Sequence, residues 1–145
     1  MEIYMYETLK PGLTFEFDFT VTESKTVPYI YPESEEMSIM PKVFSTGYMI
    51  GLFEWACIKF INEHIDWPRE QSVGIAVNLS HTAPTPPGLT VKVKGELLEV
   101  DGRRLKFAIE ADDGVDVIST GTHERFIVDA ERFTATAEKK VKRAS

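Results

Sequence analysis

The sequence predicts an α+β domain in which a curved antiparallel sheet wraps round one long apolar helix. Three observations support this. Residues 13–22 alternate between apolar and polar side chains, residues 43–61 read as a helix that is apolar nearly all round, and four strand-like segments follow. Because helix and strands are segregated along the chain, the class is α+β. The 145 residues suit one domain with a sizeable core.

The composition disfavours several classes of function. A net charge of −7 argues against a nucleic-acid-binding protein, which usually presents a basic face. The one basic cluster, residues 139–143, lies in a tail that we expect to be frayed from about residue 136. No apolar run reaches the roughly 18 residues of a membrane span, and the acidic N-terminus lacks a signal-peptide pattern. The single cysteine, Cys57, indicates a buried thiol and a reducing cytoplasm.

The first regular element is the strand at residues 13–22. Its apolar side chains share one face and its polar side chains share the other; the apolar set is Leu13, Phe15, Phe17, Phe19 and Val21. Residues 33–42 then predict a short helical segment, with Met37, Ile39 and Met40 as its apolar face. Pro41 ends that segment just before the central helix.

The central helix spans residues 43–61, and either Ser45 or Thr46 can cap its N-terminus with a hydroxyl. One apolar stripe consists of Met49, Leu52, Phe53, Ala56 and Phe60, and further apolar residues fill most of the remaining circumference. We therefore expect the helix to be buried nearly all round. Its middle contains one charged residue, Glu54, whose carboxylate is costly there unless it is paired or used.

Four strands follow, at about residues 71–81, 89–100, 103–111 and 115–129. We expect the first to direct Val73, Ile75, Val77 and Leu79 to one face, and the third to direct Leu105, Phe107 and Ile109 inward. A loop with three prolines, residues 82–88, separates the first two strands, and Asp101-Gly102 predicts a tight hairpin. The last strand is long, which predicts a bend or bulge at Gly121.

A single sheet covers only part of the circumference of the central helix. Because the remaining apolar surface needs a cover, we predict a homodimer.

Three residues are candidates for chemistry, and each has a plainer alternative. Thr46 is either a simple helix cap or a hydroxyl placed where the helix dipole stabilises negative charge. Glu54 is either a site residue or a side chain facing a solvent gap, and His81 ends a strand where site residues often lie, although a lone histidine is commonly structural. Thr46 and Glu54 are eight residues apart, about 12 Å along a helix. They can serve one site only from different subunits, or if Thr46 precedes the helix and folds back.

Several segments together resemble the hotdog-fold acyl-CoA thioesterases, and among these the bacterial fluoroacetyl-CoA thioesterases. The matching stretches are residues 31–34 (YPES), 43–57, 80–91 (SHTAPTPPGLTV), 101–105 (DGRRL) and 113–125 (DGVDVISTGTHER). They follow one another in the family's order and span about residues 10–133.

The resemblance implies a catalytic trio of Thr46, Glu54 and His81. It also implies that the Gly74 backbone contacts the reacting carbonyl and that Arg125 belongs to the substrate site. The plainer alternative for Arg125 is an ion pair with Glu124 or another carboxylate. Met37 and Met40 stand where the fluoroacetyl-CoA enzymes have phenylalanines that shape the acyl pocket. Because methionine is flexible, the identity of the acyl group stays open.

The expected function is hydrolysis of a short acyl-CoA thioester. The resemblance implies that His81 acts as general base or activates Thr46 or a water, and that Thr46 is a nucleophile or positions a water. It further implies that Glu54 orients His81 or attacks the acyl carbon, while the Gly74 N–H holds the oxyanion. CoA is the expected leaving group, with an acyl-carrier-protein arm as the second choice, and neither a metal nor another cofactor is implied. The candidate contacts for the CoA phosphates are Lys92, Lys94, Arg103 and Arg104.

Two alternatives remain at this stage. One is a hotdog hydratase or dehydratase that acts on acyl thioesters and releases no thiol. The other is a dimer that binds acyl-CoA without turnover, which the presence of Thr46, Glu54 and His81 together disfavours.

Overall fold

The computed structural model describes residues 7–145 and has the expected α+β architecture. A five-stranded antiparallel sheet curves over one long helix. The elements in chain order are β1 (Thr14–Thr20), α1 (Glu35–Ser38), α2 (Thr46–Asn62), β2 (Glu70–Leu79), β3 (Thr90–Asp101), β4 (Arg104–Asp112), β5 (Val117–Asp129) and α3 (Ala130–Ala144).

The strands lie in the order β1-β3-β4-β5-β2. Two successive hairpins join β3, β4 and β5, and the first of them turns at Gly102, whose φ of 60° favours glycine. Strands β1 and β2 are the two edges, and α2 connects them across the concave face. Because β2 follows α2 and runs back along it, the end of β2 lies near the start of α2.

The core forms between the sheet and one side of α2. Phe15 of β1 stacks on Phe60 of α2 with ring centroids 4.7 Å apart, and Phe107 meets both rings edge-on. The predicted stripe of α2 is buried, together with Cys57 and Ile61. The expectation that α2 is buried nearly all round is wrong within one chain, because Trp55 on the opposite side is 48% exposed.

Strand β2 contains a bulge that changes which residues face inward. Its pairing with β5 shifts between Gly74 and Ala76, so Ile75 has no partner residue. Before the bulge Ser72 pairs with the buried Ile127, whereas after it Val77 pairs with the buried His123. The expectation that all four apolar residues of β2 share one face is wrong, because one extra residue inverts the alternation.

The irregularity expected in β5 is present, but not at Gly121. The register shift lies at Ile118, opposite Ala111 and Asp112. Gly121 is required for a different reason: its φ is 152°, and an added Cβ would collide with the carbonyl oxygen of Asn78. The glycine therefore allows β2 to approach β5 closely at this point.

The predicted helical segment at residues 33–42, here called the lid, and the C-terminal helix α3 are largely exposed. Helix α1 is a single turn capped by Ser34, and none of its residues is buried. Two residues of the lid's predicted apolar face are exposed, Ile39 to 85% and Met40 to 50%, whereas Met37 is half-buried. The tail from about residue 136 continues helix α3, which is exposed throughout that part. Among the described residues, no helix is both long and apolar enough to cross a membrane.

Candidate active site

The hydroxyl of Thr46, at the start of α2, is not used to cap the helix, because the preceding residue, Ser45, is the cap. Ser45 Oγ accepts the backbone N–H of Tyr48 at 3.0 Å, which satisfies one of the unpaired donors of the first turn. Thr46, the first residue of the helix, is exposed and is not needed for capping. Its Oγ1 lies 2.7 Å from Nδ1 of His81.

His81 directly follows β2, in a segment that still pairs with β5. The backbone N–H groups of its neighbours Ser80 and Thr82 donate to the carbonyls of Thr120 at 3.0 Å and Ile118 at 2.9 Å. Partial burial lowers the pKa of His81 below its ordinary value, so the imidazole is neutral at neutral pH. A neutral imidazole within hydrogen-bond reach of a hydroxyl can take up the proton of that hydroxyl or of a water.

A small cavity opens beside this pair. Its volume is about 290 Å³, and Thr46 and His81 form part of its wall. The remaining wall comes from the segment before α2 and the proline-rich loop: Val27, Val43, Phe44, Thr82, Ala83 and Pro84. Apart from the threonines and the histidine, these side chains are apolar and offer space for a small acyl group.

Glu54 belongs to a second cluster, in which Arg125 is the central residue. Arg125 is 2% exposed, and its Nη1 donates to Glu54 Oε2 at 2.9 Å. The other guanidinium nitrogens are held by Ser72: Nε donates to its hydroxyl and Nη2 to its carbonyl, both at 2.8 Å. The arginine is thus fixed from three sides and presents its charge to Glu54.

His123 completes the second cluster. Its Nδ1 donates to the carbonyl of Ala76 at 2.9 Å, which leaves Nε2 free to accept from Arg125 Nη1 at 3.1 Å. Burial, and to a smaller extent the Arg125 charge, lower the pKa of His123 and keep it neutral. His123 and Arg125 are two residues apart on one strand, so their side chains share a face; this spacing is the signal that could have identified it.

Gly74 lies directly beneath the Glu54 carboxylate. A Cβ at this position would come within 2.7 Å of Glu54 Oε2. The missing side chain allows the carboxylate, which is 40% exposed, to approach β2 and reach Arg125. The glycine at this position therefore has a steric reason as well as a candidate backbone N–H.

The structure brings the expected site residues together in two groups rather than one. Thr46 meets His81, and Glu54 meets Arg125 and Gly74. No hydrogen bond among residues 7–145 links the two groups. Because Thr46 is itself the first residue of α2, the alternative in which it precedes the helix and folds back is wrong.

The other residues expected to contact the substrate are the two lid methionines and the candidate cations for the CoA phosphates. Met37 is half-buried and Met40 is 50% exposed, so the lid side chains are open on one side. Of the four candidate cations, Lys92 pairs with Glu16 and Arg104 with Glu124, whereas Arg103 lies over the ring of Phe126.

Burial raises the pKa of Cys57 to about 12, so this thiol is inert. Within the described chain, no cluster of three His, Cys, Asp or Glu side chains could hold a metal ion.

Comparisons with known proteins agree on one family. The sequence model of the fluoroacetyl-CoA-specific thioesterases matches residues 21–131. A fluoroacetyl-CoA thioesterase of Streptantibioticus cattleyicolor is 47% identical over 136 residues, which make up 94% of this chain and 97% of that protein.

Solved structures give the same result for the fold. A variant of the fluoroacetyl-CoA-specific thioesterase in complex with fluoroacetate and CoA superimposes with a TM-score of 0.84 at 49% identity, over 86% of this chain and 99% of that one. A hot-dog-like protein from Thermanaerovibrio acidaminovorans has a TM-score of 0.74 at 20% identity, over 90% and 91% of the two chains. The second match establishes the fold alone.

Proposed function

The chain belongs to the fluoroacetyl-CoA-specific thioesterase family and is an acyl-CoA thioester hydrolase, and we propose that Thr46, His81 and Glu54 carry out the hydrolysis. The observation that supports this assignment most directly is the distance of 2.7 Å between Thr46 Oγ1 and His81 Nδ1. A hydroxyl and a neutral imidazole at this distance form the nucleophile–base pair that acyl transfer requires.

In the proposed reaction, His81 Nδ1 takes the proton of Thr46 Oγ1 as this oxygen attacks the thioester carbon. The carbon–sulfur bond then breaks, and the CoA sulfur leaves with the proton from His81. A water, deprotonated by the same imidazole, next attacks the Thr46 ester; the bond from the acyl carbon to Oγ1 breaks, His81 returns the proton to Oγ1, and the acid is released. If Thr46 instead holds a water for direct attack, the proton follows the same path to His81.

Negative charge on the carbonyl oxygen needs hydrogen-bond donors near the pair. The first turn of α2 contributes the positive end of the helix dipole at Thr46. We assign the second contribution to the Gly74 N–H, with Arg125 behind it as the charge that holds Glu54 in place. Glu54 then orients His81 and stabilises its protonated form.

For Glu54 to act on His81, the two groups must come from different chains, and we propose that the enzyme is a homodimer. Strand β2 supports this proposal because it is an edge strand with apolar side chains towards solvent: Ile75 is 50% and Val77 48% exposed. Such an edge is a template for pairing with a second copy.

The proposed substrate is a small acyl-CoA. The related thioesterase whose structure contains fluoroacetate and CoA supports a short acyl group and CoA as the leaving thiol. Met37 and Met40 give the lid a more adaptable lining than phenylalanine would, so we propose that unsubstituted short acyl groups are accepted as well. The single buried thiol, Cys57, fits a reducing compartment, and we propose the cytoplasm.

The test is free-thiol release from acetyl-, fluoroacetyl-, propionyl-, butyryl-, a longer-chain and an aryl-CoA, with His81→Ala as the matched variant. We expect release from at least one short substrate, and a loss of about a hundredfold or more in His81→Ala. Release that is unchanged in His81→Ala would refute the assigned base. Folded protein that releases no thiol from any substrate would refute hydrolysis of these thioesters and favour either the hydratase or dehydratase or binding without turnover.

A further inference from the structure

Thr85 and Asp113 form a buried polar pair outside the residues assigned to the reaction so far. Thr85 has no exposed surface and Asp113 is 4% exposed. Thr85 Oγ1 donates to Asp113 Oδ2 at 2.8 Å, while Oδ1 accepts the backbone N–H groups of Val115 at 3.0 Å and Asp116 at 2.9 Å. Oδ1 is therefore satisfied within the turn that precedes β5, and Oδ2 is satisfied by Thr85 from another loop.

The direction of the Thr85–Asp113 hydrogen bond is fixed by charge. Burial raises the pKa of Asp113, but the hydrogen bonds from Asp116, Thr85 and Val115 together lower it below its ordinary value. An ionised carboxylate only accepts hydrogen bonds, so the Thr85 hydroxyl must donate. This orients Thr85 in the loop between His81 and β3.

The backbone of Thr85 connects the same pair to the start of α2. Its carbonyl accepts the N–H of Phe44 at 2.8 Å, two residues before Thr46. Phe44 also forms an isolated bridge with Thr26, so this part of the chain is held on both sides. The position of the Thr46 hydroxyl thus depends on where Thr85 lies.

The other end of the pair leads to His81. Asp113 belongs to the turn from which β5 starts, and β5 holds the residues on either side of His81 through Ile118 and Thr120. Covalent and hydrogen bonds together form a closed ring. It runs Asp113–Thr85–Phe44–Thr46, crosses to His81 through their hydrogen bond, and returns through Thr82 and Ile118 to Asp113.

We propose that Thr85 and Asp113 are positioning residues, which set the distance between the Thr46 hydroxyl and the His81 imidazole. This inference rests on the proposed function of that pair. Thr46 and His81 are 35 residues apart in the chain, so their contact depends on other interactions that hold both segments in place. A misplacement of about 1 Å can cost a factor of about a hundred in rate, which gives the buried pair a catalytic consequence.

The test compares Thr85→Val, which removes the hydroxyl and keeps the shape, with Thr85→Ser, which keeps the hydroxyl. We expect Thr85→Val to lower kcat by about tenfold to a hundredfold with little change in KM, and Thr85→Ser to recover most of it. Thr90→Val is the matched control, because the Thr90 hydroxyl bonds Thr20 at 2.8 Å on the β1 side of the sheet. That variant should keep the wild-type kcat.

A second comparison separates positioning from general destabilisation. In a Thr46→Ala background, Thr85→Val should cause little further loss, because the hydroxyl that it positions is already absent. An equal loss in both backgrounds, or an unchanged kcat in folded Thr85→Val, would overturn the proposal. Asp113→Asn, which keeps the shape but removes the charge, replaces Thr85→Val if the latter does not fold, and a smaller loss of kcat is expected because the amide can still hydrogen-bond the Thr85 hydroxyl.

A readout independent of turnover keeps this inference distinct from the proposed function. The NMR titration of His81 should move towards the ordinary histidine value in Thr85→Val, since a displaced imidazole becomes more hydrated, and should stay unchanged in Thr90→Val. An unchanged His81 titration in Thr85→Val would contradict the inference even in a preparation without thioesterase activity. Absent turnover with the expected change in titration would contradict only the proposed reaction.

Discussion

At the scale of single residues, the chemistry depends on which of two adjacent hydroxyls caps α2. Both Ser45 and Thr46 suit the cap position by residue type. Ser45 takes it, through its bond from the Tyr48 N–H, and Thr46 is thereby available to His81 at 2.7 Å. The neighbouring hydroxyls consequently have separable roles, one in stability and one in the site.

This division predicts opposite effects for two alanine substitutions. Ser45→Ala should lower the free energy of unfolding by about 1 kcal/mol, because the cap is lost, and reduce kcat much less than Thr46→Ala does. Thr46→Ala should lower kcat by about a hundredfold or more with little effect on stability. Chemical denaturation and thiol-release kinetics on both variants measure the two effects. Equal losses of kcat would contradict the division.

A second prediction at this scale concerns pH. His81 must be neutral to accept a proton, so kcat/KM should rise with pH and level off above the pKa of His81. Burial lowers that pKa, whereas the Glu54 carboxylate that we propose from a second subunit raises it, so the acid-side inflection should lie at lower pH in Glu54→Gln than in the wild type. The pH profiles of kcat/KM of the two proteins measure the difference. An inflection that stays the same in Glu54→Gln would mean that Glu54 does not act on His81.

At the scale of elements, strand β2 combines two features that the proposed site needs. Its bulge at Ile75 inverts the alternation, so Gly74 lies under the Glu54 carboxylate while Val77 pairs with His123. Its outer edge lacks a partner strand in the described chain and exposes apolar side chains. The same strand therefore builds one half of the site and offers the surface for a second copy.

Placing a charge on this edge should separate the subunits. Ile75→Lys should shift the protein to a monomer and remove most of the activity, because a buried lysine would oppose strand pairing across the edge. Val115→Lys, at a residue 77% exposed in the turn before β5, is the matched control and should leave both properties unchanged. Sedimentation over a range of concentrations, together with thiol release, measures the effect. A dimeric and active Ile75→Lys would show that β2 is not the interface.

At the scale of the whole molecule, one chain contains every candidate residue but does not assemble them. Helix α2 separates Thr46 from Glu54 by eight residues, about 12 Å, and each joins its own cluster. A two-fold dimer can bring the Thr46–His81 pair of one subunit next to the Glu54–Arg125 cluster of the other subunit.

Mixing inactive dimers tests this assembly directly. Thr46→Ala and Glu54→Ala, combined under verified subunit exchange, should recover about a quarter of the wild-type activity, because half the dimers are mixed and each has one intact site. The control mixture of Thr46→Ala with His81→Ala should recover nothing, since both residues belong to the same cluster. Absence of recovery in the first mixture would argue that each site uses a single chain.

The sequence alone determined those features that depend on neighbours along the chain. Three local features were predicted correctly, because periodicity and turn chemistry are local: the alternation of β1, the apolar stripe of α2 and the hairpin at Gly102. The family was identified correctly from its sequence motifs. Only the tertiary structure decided which of Ser45 and Thr46 is the cap, which partner Glu54 has, and where the sheet is irregular. It also revealed His123 and the Thr85–Asp113 pair. These features depend on contacts between residues far apart in the chain, and no local pattern specifies the position of the other partner.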